Sequence, residues 1–224
     1  MTRVKIKRMK IFLLMFSLLT FFIFTVFSYS VAKERWQQID FDTTVRLQDH
    51  ISRVVDPYFS YFSLLGSIEV TLGMAFLMSL LSLLKKRLLA ALSWLIILPA
   101  SFFEVFGKLV IFHPAPPVLF HRSVLEANLP SFYIHTNFSY PSGHMTRTIF
   151  LVTVFLVVVI VKSKAPFRLI SMVALLSLAF MMMLTRIYLG EHWLSDVLGG
   201  GLLGLSSGLL ASIFVTNKKY VSIK

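Results

Sequence analysis

Cysteine is absent from the 224 residues, which excludes disulfides and every thiolate-ligated metal site. Charge is scarce as well, at 14% of residues against 57% hydrophobic. So little charge cannot cover a soluble domain of this length, and the surplus apolar surface needs lipid around it. No Pro/Gly/Ser-rich linker, low-complexity tract or long-period repeat interrupts the chain, so nothing divides it into separate domains. The expectation is one integral membrane domain over residues 1–224.

What is present is a series of apolar runs. Ile11–Val31, Tyr58–Leu84, Leu88–Phe106, Met145–Val161, Leu169–Ile187 and Trp193–Val215 carry almost no charge. Each is close to the roughly 20 residues that a spanning helix needs. Six spans predict an all-α, polytopic six-helix bundle with both termini on one side. Acids number ten against 22 Lys and Arg, a net charge of +12, and the basic residues are not spread evenly. Arg3, Lys5, Lys7, Arg8 and Lys10 precede the first span, and Lys85, Lys86 and Arg87 follow the second. Lys162, Lys164 and Arg168 lie between the fourth and fifth, and Lys218, Lys219 and Lys224 follow the sixth. All of these fall on one side, which the positive-inside rule makes the cytoplasm. The excess charge is thereby topological, and its short scattered segments argue against a nucleic-acid partner. The first span also fits a signal peptide, with a basic start and Ser30-Val31-Ala32 as a cleavage site. Its length exceeds the usual apolar core of such peptides and favours a retained anchor.

Residues 1–31 then form a tail and first span, and 32–57 an extracytoplasmic segment. In that segment Leu47, Ile51, Val54, Val55 and Tyr58 recur at helical spacing, with Arg46, Asp49, Arg53 and Asp56 between them. The pattern predicts an amphipathic helix along the bilayer surface. It serves there as a packing cap on the bundle or as a gate for a lipid substrate.

Three ionisable clusters reach the same outer face from distant parts of the chain. Lys108 follows the third span, His144 opens the fourth within Pro141-Ser142-Gly143-His144, and Arg186 and His192 lie at the turn between the fifth and sixth. His192 and Asp196 stand four apart, near Gly190 and Glu191 where the sixth helix is expected to open. A carboxylate on one ring nitrogen would fix the tautomer and leave the other nitrogen free as base or nucleophile. The unpaired N–H groups of a helix start, with two permanent cations beside them, favour a phosphate. Taken alone, His-x-x-x-Asp fits an interfacial ion pair better than a catalytic site. A second histidine on the same face, beside a turn with a hydroxyl and free backbone N–H groups, favours a site.

These stretches resemble the type 2 phosphatidic acid phosphatase superfamily of integral membrane lipid phosphatases, marked by K-x6-R-P, then P-S-G-H, then S/T-R-x5-H-x3-D. The second stretch is complete at Pro141–His144, and the third at Thr185-Arg186, His192 and Asp196. The resemblance covers about 66–215, the expected catalytic core. The first stretch is incomplete: Lys108 and Pro116 match, but Ala115 stands where the family has arginine. A charge-assisted phosphate contact is worth about 1.5–3 kcal/mol, so losing one without replacement costs roughly ten- to hundredfold. His113, His121, Arg122 and Arg147 are near enough in sequence to replace it, with the permanently charged Arg122 and Arg147 first.

The resemblance implies a metal-independent, cofactor-free hydrolase of lipid phosphate monoesters or diphosphates, of the phosphatidic acid, phosphatidylglycerol phosphate or polyprenyl diphosphate type. His192 would be the nucleophile, forming a phosphohistidine, with Asp196 orienting it and His144 as acid and base. Lys108, Ser142, Gly143 and Arg186 would bind the phosphate. Expected partners are the lipid substrate and the bilayer, in a bacterial plasma membrane with the active site extracytoplasmic. Two alternatives remain: a lipid phosphotransferase using the same histidine, and a catalytically silent lipid-binding or transport relative. Glu69 and Glu104 are expected to pair with basic residues or to tune the site. Gly200, Gly204 and Gly208 are expected to pack closely against a neighbouring helix.

Overall fold

The structure is a computed structural model that describes residues 3–125 and 138–215. The basic residues Lys218, Lys219 and Lys224 lie outside the described residues. Nine α-helices follow in the order α1 (Arg3–Ala32), α2 (Gln37–His50), α3 (Asp56–Ser63), α4 (Ile68–Leu84), α5 (Leu88–Trp94), α6 (Ile97–Val110), α7 (Gly143–Lys162), α8 (Phe167–Tyr188) and α9 (Leu194–Val215). Among the described residues six segments are long and apolar enough to cross a membrane, with α3–α4 and α5–α6 each forming one of them. All backbone polar groups in lipid must be paired within the chain, and helices do this segment by segment.

Two expected spans are broken. The second passes through a 3-10 turn at Leu64–Gly66, and Ser67 restarts it by accepting from the Val70 N–H at 3.3 Å. Gly66 lies there because a Cβ would sit 2.9 Å from both the His144 ring and the Met182 sulfur. The third is interrupted at Leu95 and Ile96. Pro99 lacks an N–H and would clash with a helical carbonyl four residues back, so it is tolerated only in a first turn. A helix restarting at Ile97 puts Pro99 there. That helix runs to Val110, four residues beyond the expected end at Phe106, and thus carries Gly107 and Lys108.

The segment 32–57 also departs from expectation. It forms a helix, α2, but the helix stops at His50, followed by a 3-10 turn at Arg53–Val55. Val54 and Tyr58, expected on the face turned to the bilayer, are 75% and 72% exposed. The buried residues of α2 are Asp40 and Thr44, and Asp56 is buried at the start of α3. The reason is polar docking: Gln48 Nε2 donates to the Phe120 and Tyr188 carbonyls at 2.7 and 2.8 Å. Tyr188 Oη donates to Asp56 Oδ1 at 2.5 Å.

The bundle is organised around α7 and α9. Cβ atoms on Gly200 and Gly204 would fall 2.3 and 2.4 Å from the Ser142 and Thr146 carbonyls. Only a stripe without side chains lets the two backbones approach so closely. α1 packs on the far side of α9, where Ser17 and Ser206 each donate to the other's carbonyl at 2.8 and 2.9 Å. An apolar cluster of Ala75, Trp94, Ile97, Phe150, Val154, Ala211 and Val215 ties α4, α5 and α6 to this pair. At the opposite end from the polar loops, Lys162 interacts electrostatically with Arg87 and Lys85. The basic residues of two separate turns therefore meet at one end of the bundle.

Candidate active site

α9 opens at Leu194, not at Gly190. Gly190 instead makes a turn at φ +66°, a conformation that disfavours any side chain. His192 accordingly precedes the helix, while Asp196 lies in its first turn. Asp196 Oδ2 accepts from the Trp193 N–H at 3.0 Å, the contact by which an acid in the first turn caps the residue before a helix. The same oxygen lies 3.2 Å from His192 Nδ1, so one carboxylate oxygen both starts the helix and orients the ring.

The second stretch is attached directly to this unit, because the Ser142 N–H donates to the Asp196 carbonyl at 2.9 Å. Ser142 occupies the N-cap position of α7 but makes no side-chain cap. Its hydroxyl is buried without a hydrogen-bond partner among the described residues. A serine at this position normally turns its oxygen onto the helix N–H groups. Here that oxygen, and the first N–H groups of α7, stay available to an anion.

Three cations complete the surroundings. Lys108 on α6 donates to Glu104 Oε1 at 2.8 Å, and Arg147 on α7 donates to Glu104 Oε2 at 2.7 Å. Arg186 on α8 donates to Ser63 Oγ at 2.5 Å and is paired with Glu191. Arg147 Nε and Arg186 Nε are both buried with no hydrogen-bond partner among the described residues. Groups of this kind cost free energy unless something pairs with them. The His144 ring interacts electrostatically with Arg186, Arg147, His192 and Lys108, so both histidines and all three cations form one cluster. His192 is held well below the usual histidine range, first by burial and then by Arg186, Lys108, Arg147 and His113. It is a neutral imidazole at physiological pH, the form with a nucleophilic nitrogen.

The profile of the PAP2 superfamily matches residues 88–220. The chain belongs to the PAP2 superfamily. It is therefore a member of a family of membrane lipid phosphatases, and its all-helical fold agrees with solved PAP2 structures. One is the first transmembrane PAP2-type phosphatidylglycerolphosphate phosphatase from Bacillus subtilis, with a TM-score of 0.68 at 18% identity over 87% of this chain and 93% of that one. Another is LpxE of Aquifex aeolicus, with a TM-score of 0.57 at 21% identity over 77% and 94%. A search of curated proteins gives no match in sequence.

Against the PAP2 pattern, the position of the absent arginine is informative. Ala115 is exposed in the loop after α6, while Pro116 is buried. Of the two arginines expected to replace the missing one, Arg147 lies in the cluster. Arg122 does not share its surroundings: its guanidinium donates to the Gln48 carbonyl at 3.0 Å and Tyr188 Oη at 3.1 Å. It also stacks over the Tyr188 ring at 5.1 Å, which makes it a tie between α2 and α8. His121 is exposed. Glu104 is the counter-ion of two cations, as one of its expected roles required.

Sequence reasoning missed Asp40, Ser195 and Ser63. Asp40 accepts from Ser195 N and Oγ at 2.8 and 2.7 Å, and His113 Nε2 lies 3.0 Å from Ser195 Oγ. The one available signal was that Asp40 and Thr44, four apart, share a face of α2 on which the sequence has no matching apolar stripe.

Proposed function

We propose that the chain hydrolyses a lipid phosphate monoester or diphosphate at the extracytoplasmic face, through a phosphohistidine and without a metal. Phosphatidic acid, phosphatidylglycerol phosphate and polyprenyl diphosphates carry the required headgroup. The observation that carries this reading is the gathering of His144 and His192 with Lys108, Arg147 and Arg186 in one electrostatic cluster. The unpartnered Ser142 Oγ, Arg147 Nε and Arg186 Nε match the acceptor oxygens of a phosphoryl group.

In the first step His192 Nε2 attacks phosphorus. A P–N bond forms as the P–O bond to the lipid breaks, and His144 gives a proton to the departing oxygen. Asp196 stabilises the charge that develops on the His192 ring by holding its Nδ1–H. In the second step a water transfers a proton to His144 while its oxygen attacks phosphorus, which breaks the P–N bond and frees phosphate. Lys108, Arg147, Arg186, Ser142 and the Gly143 N–H bind the equatorial oxygens, whose charge is largest in the transition state. Arg147 thereby takes the place of the family's missing arginine. The site lies at the rim of the bundle, so the lipid tail stays in the bilayer while its headgroup reacts. The basic turns at Lys85–Arg87 and Lys162–Arg168 support a cytoplasmic location for the opposite end.

The test is phosphate release from a panel of these lipids in detergent micelles, with a chelator present. Activity is expected to survive chelation and to vanish in His192→Ala. His144→Ala should lose about 10²–10⁴-fold, the usual contribution of a general acid. Turnover abolished by the chelator, or retained by His192→Ala, overturns the mechanism.

A further inference from the structure

Behind the His192–Asp196 pair lies a second buried polar group that the proposed reaction does not use. Asp40, His113, Ser195 and Asp196 come from α2, the loop after α6 and the first turn of α9. All four are at most 5% exposed. Asp40 Oδ1 accepts from the Ser195 N–H at 2.8 Å and Asp40 Oδ2 from the Ser195 hydroxyl at 2.7 Å. The first of these contacts is a helix cap supplied from another helix, satisfying a backbone donor that the first turn of α9 leaves unpaired.

The hydroxyl settles the tautomer of His113. Ser195 gives its only hydrogen to Asp40, so toward His113 Nε2, 3.0 Å away, it acts as acceptor. His113 Nε2 therefore carries hydrogen. Burial pushes the ring down to about 4, so this is the neutral form with one N–H. That N–H also stands 3.6 Å from Asp40 Oδ2 and 3.5 Å from Asp196 Oδ1. Asp196 Oδ2 is already engaged by Trp193 N and His192 Nδ1. One oxygen of Asp196 thus faces His192 and the other faces His113.

We propose that His113 and Asp40 are positioning residues, which act through Ser195 and Asp196 to hold the carboxylate in the orientation that binds His192 Nδ1. Without the N–H of His113, two buried carboxylates face each other across one serine whose only hydrogen is given to Asp40, and none is left for Asp196 Oδ1 from this side. Asp196 then turns or takes up a proton, and the bond that orients His192 is weakened. Asp40 lies outside the stretch that matches the family profile, so this support is a feature of the chain's own extracytoplasmic helix. The inference rests on the proposed role of His192 as nucleophile.

The experiment pairs two substitutions of different chemistry in the full chain. His113→Gln keeps an N–H donor near the position of Nε2, and His113→Leu keeps the bulk without a donor. With phosphatidic acid in mixed micelles, His113→Leu is expected to lower kcat about ten- to hundredfold with KM within about twofold. His113→Gln should recover most of the loss. Asp40→Asn should also lower kcat, and its combination with His113→Leu should cost less than the product of the two single losses. A separate readout needs no turnover: the His192 Nδ1–H proton, followed by NMR of 15N-histidine-labelled protein. It should be present in the parent and His113→Gln, and lost or strongly shifted in His113→Leu. An unmoved resonance in His113→Leu, or equal kcat losses in the Leu and Gln variants, overturns the proposal. A parent protein inactive on every lipid would instead count against the proposed function, while the resonance still decides the positioning role.

Discussion

α8 and α9 follow one another in the chain, have 22 residues each, and are both apolar enough to span a bilayer. Their surroundings are opposite. α8 leaves Phe167, Leu169, Ile170, Val173, Leu176 and Phe180 exposed to lipid, and its buried residues are confined to Met182 and the last turn, Thr185–Tyr188. α9 is buried along its whole length on Gly199, Gly200, Gly204 and Gly208, with Ser195, Asp196, Ser206 and Ser212 also buried. Hydropathy decides that both helices cross the membrane. Small residues decide which of them becomes the axis, because lipid tails are as apolar as leucine and only close packing favours helix over lipid. The site sits where the two meet, at the end of α8 and the start of α9.

The comparison breaks most visibly at the α7–α9 contact. Gly200→Leu would drive a side chain into the Ser142 carbonyl, only 2.3 Å from a Cβ, and backbone cannot swing aside as a side chain does. Overpacking of this kind costs about 1–3 kcal/mol or more, and here it also displaces the Ser142–Asp196 link. The expected result is little or no monodisperse protein by size-exclusion chromatography, and no phosphatase activity in what remains. Val173→Ala and Leu176→Ala on the lipid face of α8 should leave the melting temperature within about two degrees. Equal effects on both helices would mean that α9 is not the axis.

Much of this was legible in sequence because it depends on short strings. Pro141–His144 and Arg186–Asp196 each put their own residues together, and charge-free runs give the spans. The helix starts were less legible: a positive-φ turn at Gly190 delays α9 to Leu194, so His192 approaches Asp196 from a loop. The polar docking of α2 left only a faint mark, the shared face of Asp40 and Thr44. Asp40 finds its partner Ser195 at a separation of 155 residues, and the polar Asp40–Thr44 face of α2 gives no sign of which residue that partner is. The apolar spacing spoke only for the face turned to the bilayer, while α2 docks on the bundle through hydrogen bonds.

The proposed substitute for the missing arginine allows a finer comparison within the end of the bundle that holds the cluster. Arg147 lies in the cation cluster with an unpartnered Nε, whereas Arg122 has its guanidinium on carbonyls and a tyrosine. Arg147→Gln is expected to lower kcat/KM about ten- to hundredfold, the worth of one charge-assisted phosphate contact. Arg122→Gln should lower the melting temperature by a few degrees and leave kcat/KM within about threefold. The reverse pattern would make Arg122 the phosphate ligand and Arg147 a structural partner of Glu104.

The smallest expected effect tests the same pair through pH. Burial, followed by Arg186, Lys108, Arg147 and His113, lowers His192 from its ordinary value of 6.5. A lowered value means that the ring stays unprotonated, and so nucleophilic, until the pH falls well below 6.5. The acid limb of kcat/KM follows the free enzyme's nucleophile, and its midpoint is therefore expected below 6.5. Replacing Arg147 by glutamine removes one of the charges that oppose protonation, so the limb should move up, by about a few tenths of a pH unit to one unit. It should still lie below 6.5, because burial, the larger cause, is unchanged. Arg122→Gln should leave the limb where it is. A limb that moves down in Arg147→Gln, or moves equally in both variants, would separate Arg147 from the field that keeps His192 neutral.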